Sequence, residues 1–178
     1  MERGFGEAAK FCGSFEGNLT ELFEGLAEAM MSTMGGAIGP IYGVFWEGAA
    51  ESYTSRGGVS GEGLARAFES GCLAAMSLGK VSPGDKTVID AMFPCKEAML
   101  KEKNCSAQRV LEAGAAASRM GAEATKEMEA KRGRARFMGE KSKGYIDAGA
   151  VSFSIFMEAL AGEFGGGEKE HGDEKDSR

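Results

Sequence analysis

Between Asn18 and Met30 the chain places Leu19, Leu22, Phe23, Leu26 and Met30 at intervals of three and four residues. That spacing lays all five side chains on one face of an α-helix, whereas a strand would scatter them over both faces. Asn18 stands where an N-cap belongs, and Glu21, three residues on, gives the spacing of a capping box. Gly35 and Gly36 then end the helix. The same period returns along the chain. Pro40 suits the first turn of a second helix carrying Tyr42, Phe45, Trp46 and Ala49. Ser60 caps a third, with Leu64, Ala67, Phe68 and Met76 on its apolar side. Asp85 or Thr87 opens a fourth, which Pro94 is expected to kink. A fifth runs from Ser106 to about Glu129, and a last one from about Gly149 to Glu163. The fifth is rich in Ala and Gly, so a neighbouring helix can approach its backbone closely. No stretch alternates with period two for long enough to argue for a sheet. The sequence predicts an all-α bundle.

A chain of 178 residues is long enough for one domain with a real core. Its net charge is −6 and its pI about 5.0, which argues against a nucleic-acid partner. Cys12, Cys72, Cys95 and Cys105 form no C-x-x-C pair, and the single histidine, His171, lies in a polar tail, so zinc ligation is not expected. The thiols read as reduced, partly buried small hydrophobes of a cytoplasmic protein. No basic-flanked apolar leader and no 18-residue apolar run occurs, so no membrane association is expected. Gly165 to Arg178, "GGGEKEHGDEKDSR", has nothing to bury and is expected to be a disordered acidic tail.

The segments that interrupt the helical period carry the chemistry. They are "GGAIGPIYG" (Gly35–Gly43), "GKVSPGDKTVID" (Gly79–Asp90) and the glycine-bearing opening stretch. Helix ends joined by glycines expose backbone N–H groups that favour anions such as phosphate, although the same glycines serve equally as C-caps and turns. Neither loop has the Walker or the G-x-G-x-x-G pattern. A fourth segment, "KRGRARFMGEKSKGYIDAGA" (Lys131–Ala150), packs Lys131, Arg132, Arg134 and Arg136 into six residues. Residue chemistry alone leaves it three readings: a solvated loop after a helix C-terminus, a nucleic-acid patch, or a lid that folds onto a polyphosphate.

"GGAIGPIYG", "PGDKTVIDAMFP" and "AKRGRARFMGEKSKGYIDAGA", in that order and with "MERGFG" before them, resemble the motifs of the L subunit, the nucleotide-binding subunit, of bacterial dihydroxyacetone kinase. The resemblance extends from Met1 to about Gly162. It implies a barrel of antiparallel amphipathic helices, eight in the family, with the N-terminal one missing here. Residues 1–164 would then form a nucleotide-binding helical domain and residues 165–178 the tail. ADP or ATP would sit across one mouth of the barrel, its phosphates on Mg²⁺. Carried over position by position, Ala37 and Ile38 fall where the first loop meets phosphate, Gly79 and Val88 where adenosine is held, and Arg134 at the lid arginine. Asp147, Ala148 and Gly149 match the "DPG" that closes the site. The implied partners are a K-type subunit carrying dihydroxyacetone, a phosphocarrier M-type subunit in the phosphotransferase-linked form, and a second copy of the chain in a homodimer.

The chain departs from the family pattern at Ile38, where the family has serine, at Tyr145, where it has histidine, and at Ala148, where it has proline. The acidic stretch resembling "GDxDxGxN", whose aspartates hold the family's magnesium, would precede Met1. The expectation is therefore no metal-ligand set within these residues. Two functions compete: an ADP- or ATP-binding kinase subunit, and a catalytically inactive relative that acts as a regulatory partner.

Overall fold

A computed structural model describes residues 2–53 and 59–170, with side chains as far as Phe164. Seven α-helices follow one another: α1 (Glu2–Gly13), α2 (Leu19–Thr33), α3 (Ile38–Ser52), α4 (Gly61–Gly79), α5 (Ile89–Lys101), α6 (Ala107–Ala124) and α7 (Ala148–Glu170). Two 3₁₀ segments, Thr125–Glu127 and Arg134–Ser142, lie between α6 and α7. No strand occurs among the described residues. Each helix packs on the next in sequence, and α5 also meets α7, which gives an up-and-down helical barrel. The barrel closes where Phe5 of α1 stacks on Phe156 of α7, ring centroids 6.1 Å apart. α7 runs on through Gly165–Glu170, the first part of the expected tail. His171 and the rest of that tail lie outside the described residues.

The caps read from sequence form. Asn18 Oδ1 accepts from Glu21 N while Asn18 N donates to Glu21 Oε2, both at 3.1 Å. Ser60 Oγ accepts from Gly63 N and Ser106 Oγ from Arg109 N. Three expectations need correction. The opening stretch is not a junction but helix α1: Phe5, Ala8 and Phe11 recur at helical spacing and pack on the core. Its Gly4 lies so close to α2's end that an added Cβ would sit 2.2 Å from Met34 Cγ. The fifth predicted helix stops at Ala124, not near Glu129, and passes into the 3₁₀ turn Thr125–Glu127, where the buried Thr125 hydroxyl donates to Ala122 O at 2.6 Å and accepts from Asp147 N at 2.8 Å. Asp85 does not cap α5: it takes Ser82 N at 3.0 Å, and Thr87 Oγ1 meets Ile89 N instead.

Trp46, 2% exposed, anchors the core between the rings of Phe23, Phe45, Phe68 and Phe156. Two close approaches need glycine. A Cβ at Gly71 of α4 would lie 2.4 Å from Phe45 O, and one at Gly121 of α6 would lie 2.2 Å from Asp90 O. Asp90 O is the carbonyl that Pro94 deprives of its helical donor, and α5 nevertheless continues through Pro94 to Lys101. The Ala/Gly composition of α6 thus lets α5 pack directly on its backbone.

Candidate functional site

Three helices begin at one end of the barrel. α3 starts after "GG", α5 after the Ser82–Val88 turn, and α7 after the basic loop, and a cavity of about 600 Å³ opens among them. Ala37, Ile38 and Ile41 line one wall. Gly79 and Val81, at the end of α4, line a second, and Lys86 to Ile89 a third. Arg132 to Phe137 lie across the top, and Asp147 and Gly149 complete the rim. Of the residues singled out in the sequence, Ala37, Ile38, Gly79, Val88, Arg134, Asp147 and Gly149 meet here. Ala148 is exposed and lies outside this lining. Phe137 is the lining's single aromatic and is 80% exposed.

Local backbone chemistry explains the convergence. Gly36 has φ +74°, a left-handed turn that suits glycine and swings the chain from α2 into α3. α4 ends in a left-handed Lys80 whose N–H bonds back to Met76 O and Ser77 O, turning the chain at Gly79 toward Ile41. The turn before α5 is organised by Asp90, a buried carboxylate that accepts from Gly84 N at 2.5 Å and Thr87 N at 2.7 Å. Gly149 lets α7 start against Val88, whose Cβ would be 3.3 Å from an added Cβ.

The electrostatics of this mouth are positive. No side chain caps the start of α3, so its partial positive charge faces the cavity, whereas at α5 Thr87 Oγ1 accepts from Ile89 N and the Asp90 carboxylate lies in the first turn. Arg134 and Arg136 are exposed, and neither pairs with a carboxylate among the described residues; Arg136 lies over the Phe137 ring at 4.7 Å. Lys131 and Arg132 flank Asp85 at 3.8 and 3.9 Å. The acidic groups are otherwise occupied. Asp147 Oδ2 caps α7 through Ala150 N at 2.9 Å, and Asp147 N donates to Thr125 Oγ1 at 2.8 Å. Burial pushes the Asp147 carboxyl above its ordinary value; the Ala150 and Gly149 N–H groups pull it back down, and Asp90 nearby raises it again.

These carboxylates do not fit Mg²⁺. No group of three or more His, Cys, Asp or Glu able to hold a metal occurs among the described residues. Asp90 is spent on backbone N–H groups, Asp85 on cations and Asp147 on a helix cap. Sequence reasoning missed Lys86, Thr125 and Ser142, which hold the basic loop; the "GDKT" string pointed to the first of them, whereas the other two had no signal short of the fold.

A second cavity, about 350 Å³, lies at the opposite end, where α2 and α4 begin and α7 nears its end. Its lining is apolar throughout, including Phe5, Leu22, Trp46, Leu111, Phe156 and Phe164. No helix is long and apolar enough to cross a membrane among the described residues.

Comparison with known proteins accords with this architecture. Residues 1–162 match the family model described as the DAK2 domain. The chain belongs to the DAK2 domain family. Among its relatives, the "PEP-dependent dihydroxyacetone kinase, ADP-binding subunit DhaL" of Escherichia coli (strain K12) is 34% identical over 164 residues, covering 90% of this chain and 78% of the relative. The corresponding subunit of PEP-dependent dihydroxyacetone kinase 1 from Listeria innocua serovar 6a is 32% identical over 161 residues, 90% of this chain and 76% of its own. The crystal structure of the dihydroxyacetone kinase of C. freundii shares the fold, with a TM-score of 0.66 at 24% identity over 90% of this chain and 28% of that one. The DAK2 domain thus fills the described body of the protein, and its loop end carries the polar cavity.

Proposed function

We propose that this DAK2 domain is the ADP- or ATP-binding subunit of a dihydroxyacetone kinase, with the polyphosphate held at the loop end. The observation that carries the reading is the pair Arg134 and Arg136, without carboxylate partners among the described residues, set above a cavity at which α3 and α5 begin. Guanidinium groups and helix starts are the usual protein partners of phosphate oxygens. Ile41, Val81 and Val88 offer apolar walls for a base and sugar beside Gly79, and Ala37 and Ile38 lie on the phosphate side. The names of the relatives, ADP-binding subunits of a PEP-dependent kinase, support the same ligand.

In this reading the residues present bind and orient the nucleotide. The arginines balance charge on the phosphates, and the loop keeps water from the transferred group. Dihydroxyacetone sits on a K-type partner that docks at this end, and an M-type phosphocarrier or free ATP supplies the phosphoryl group. Isothermal calorimetry with ADP tests the reading: one saturable site, weakened at least about tenfold by Arg134→Ala, is expected. Absence of ADP binding by the wild-type chain would overturn it.

A second reading is favoured by the commitment of Asp85, Asp90 and Asp147. A domain whose aspartates at this end are spent on backbone N–H groups and ion pairs binds nucleotide through guanidinium groups and serves as a regulatory partner of a K-type subunit. Phosphoryl transfer from ATP to dihydroxyacetone, assayed with a K-type subunit present, separates the two: turnover supports the kinase, and nucleotide binding without turnover supports the regulator.

A further inference from the structure

Lys86 is the least expected side chain of the loop end. It has positive φ, +59°, yet only 4% of it is exposed, so a charged residue occupies a strained turn position and points inward. Its ammonium makes no ion pair with a carboxylate among the described residues. It donates instead to two backbone carbonyls, Met128 O at 3.0 Å and Ser142 O. Those carbonyls stand at the two feet of the basic loop, one before Lys131 and one after Met138. Ser142 binds the feet together again, its Oγ accepting from Ala130 N at 2.9 Å and donating to Gly139 O at 2.6 Å. Lys131 N also donates to Asp85 O in the turn that carries Lys86. The turn itself is fixed by Asp90 through Gly84 N and Thr87 N.

A buried ammonium satisfied only by carbonyls is a costly way to stabilise a fold, and an apolar chain of similar size would serve stability better. We propose that Lys86 is a positioning residue for nucleotide binding: it clamps both feet of the basic loop to the turn at α5 and thereby sets Arg134 over the cavity. The inference rests on the nucleotide reading of this site and assigns Lys86 no contact with the phosphates. Lys86 acts through Arg134, and the clamp works by hydrogen bonding rather than by its charge.

The test is a double-mutant cycle on the full chain, with ADP affinity by calorimetry and loop accessibility by trypsin, which cuts after Lys131, Arg132, Arg134 and Arg136. Lys86→Met is expected to weaken ADP binding by about the same tenfold or more as Arg134→Ala, and the double variant to be little weaker than either single one. Trypsin should cut the loop faster in Lys86→Met even without ADP. Lys86→Gln, which keeps an N–H donor without the charge, should recover most of the affinity and protection, and it carries the cycle if Lys86→Met fails to fold. Independent, additive losses in the cycle would overturn the proposal, as would a Lys86→Gln variant as weak as Lys86→Met, because both would make Lys86 a charge acting on ligand directly. Wild-type affinity and cutting rate in Lys86→Met would also overturn it. A wild-type chain that binds no ADP overturns the nucleotide reading and Arg134's part with it; the clamp then stands or falls on the trypsin rates alone.

Discussion

The two ends of this barrel are built by opposite rules. At the apolar end Phe23, Trp46, Phe68 and Phe156 meet ring to ring, and the cavity they border is lined by apolar and aromatic side chains and one thiol, Cys12. At the loop end, shape is held by hydrogen bonds to backbone: Asp90 to the turn, Lys86 and Ser142 to the basic loop, Thr125 to the start of α7. Packing rewards volume and tolerates almost no change in it. A hydrogen-bonded loop can instead leave Arg134 and Arg136 without a carboxylate among the described residues and the start of α3 without a side-chain cap, which suits an anion. The difference separates what keeps the chain folded from what it can bind.

That separation can be broken at several points. Trp46→Ala should be the most damaging change, lowering stability by about 3–5 kcal/mol through lost burial and the cavity left behind. Thermal melting checks the stability, and ADP affinity measured well below the transition should stay within about twofold if the ends are independent. Arg134→Ala should do the reverse: ADP binding weaker by about 1.5–3 kcal/mol, the scale of a hydrogen bond to a charged group, with the melting curve unmoved. Asn18→Ala, which removes the α2 cap far from the loop end, should cost about 1 kcal/mol of stability and leave nucleotide affinity alone.

The smallest effect concerns Asp147. Its carboxyl titrates above the ordinary 3.8, so the native state holds that proton more tightly than the unfolded chain does. The ionised form therefore disfavours folding at neutral pH, and this penalty fades as pH falls through the raised value toward 3.8. Asp147→Asn keeps a capping oxygen without the charge. Its melting temperature relative to wild type should be highest near neutral pH and fall back only as the buffer is acidified through the raised value toward 3.8. A relative melting temperature that rises on acidification would contradict this.

Most of the scaffold was legible in the sequence because apolar period and caps are local signals. Asn18, Ser60 and Ser106 each did what their positions implied. α1 was missed because Gly4 and Gly6 read as a loop until Met34 is seen to fill the space beside Gly4. The end of α6 was missed because nothing beside Thr125 in sequence reveals Asp147 N, its partner 22 residues away. The site divides in the same way. The glycine junctions and the arginines were visible as strings, whereas the parts of Lys86 and Ser142 depend on a carbonyl brought in from 42 residues away and an N–H from 12 residues away.

The most direct test of the central claim is a backbone amide NMR titration of the isotope-labelled chain with ADP. The account predicts that shifts concentrate at Ala37 to Ile41, Gly79, Thr87 to Ile89 and Arg132 to Phe137, while Leu19, Leu22, Leu111 and Leu160 at the apolar end stay put. Shifts centred on the apolar end, with the basic loop unmoved, would contradict it.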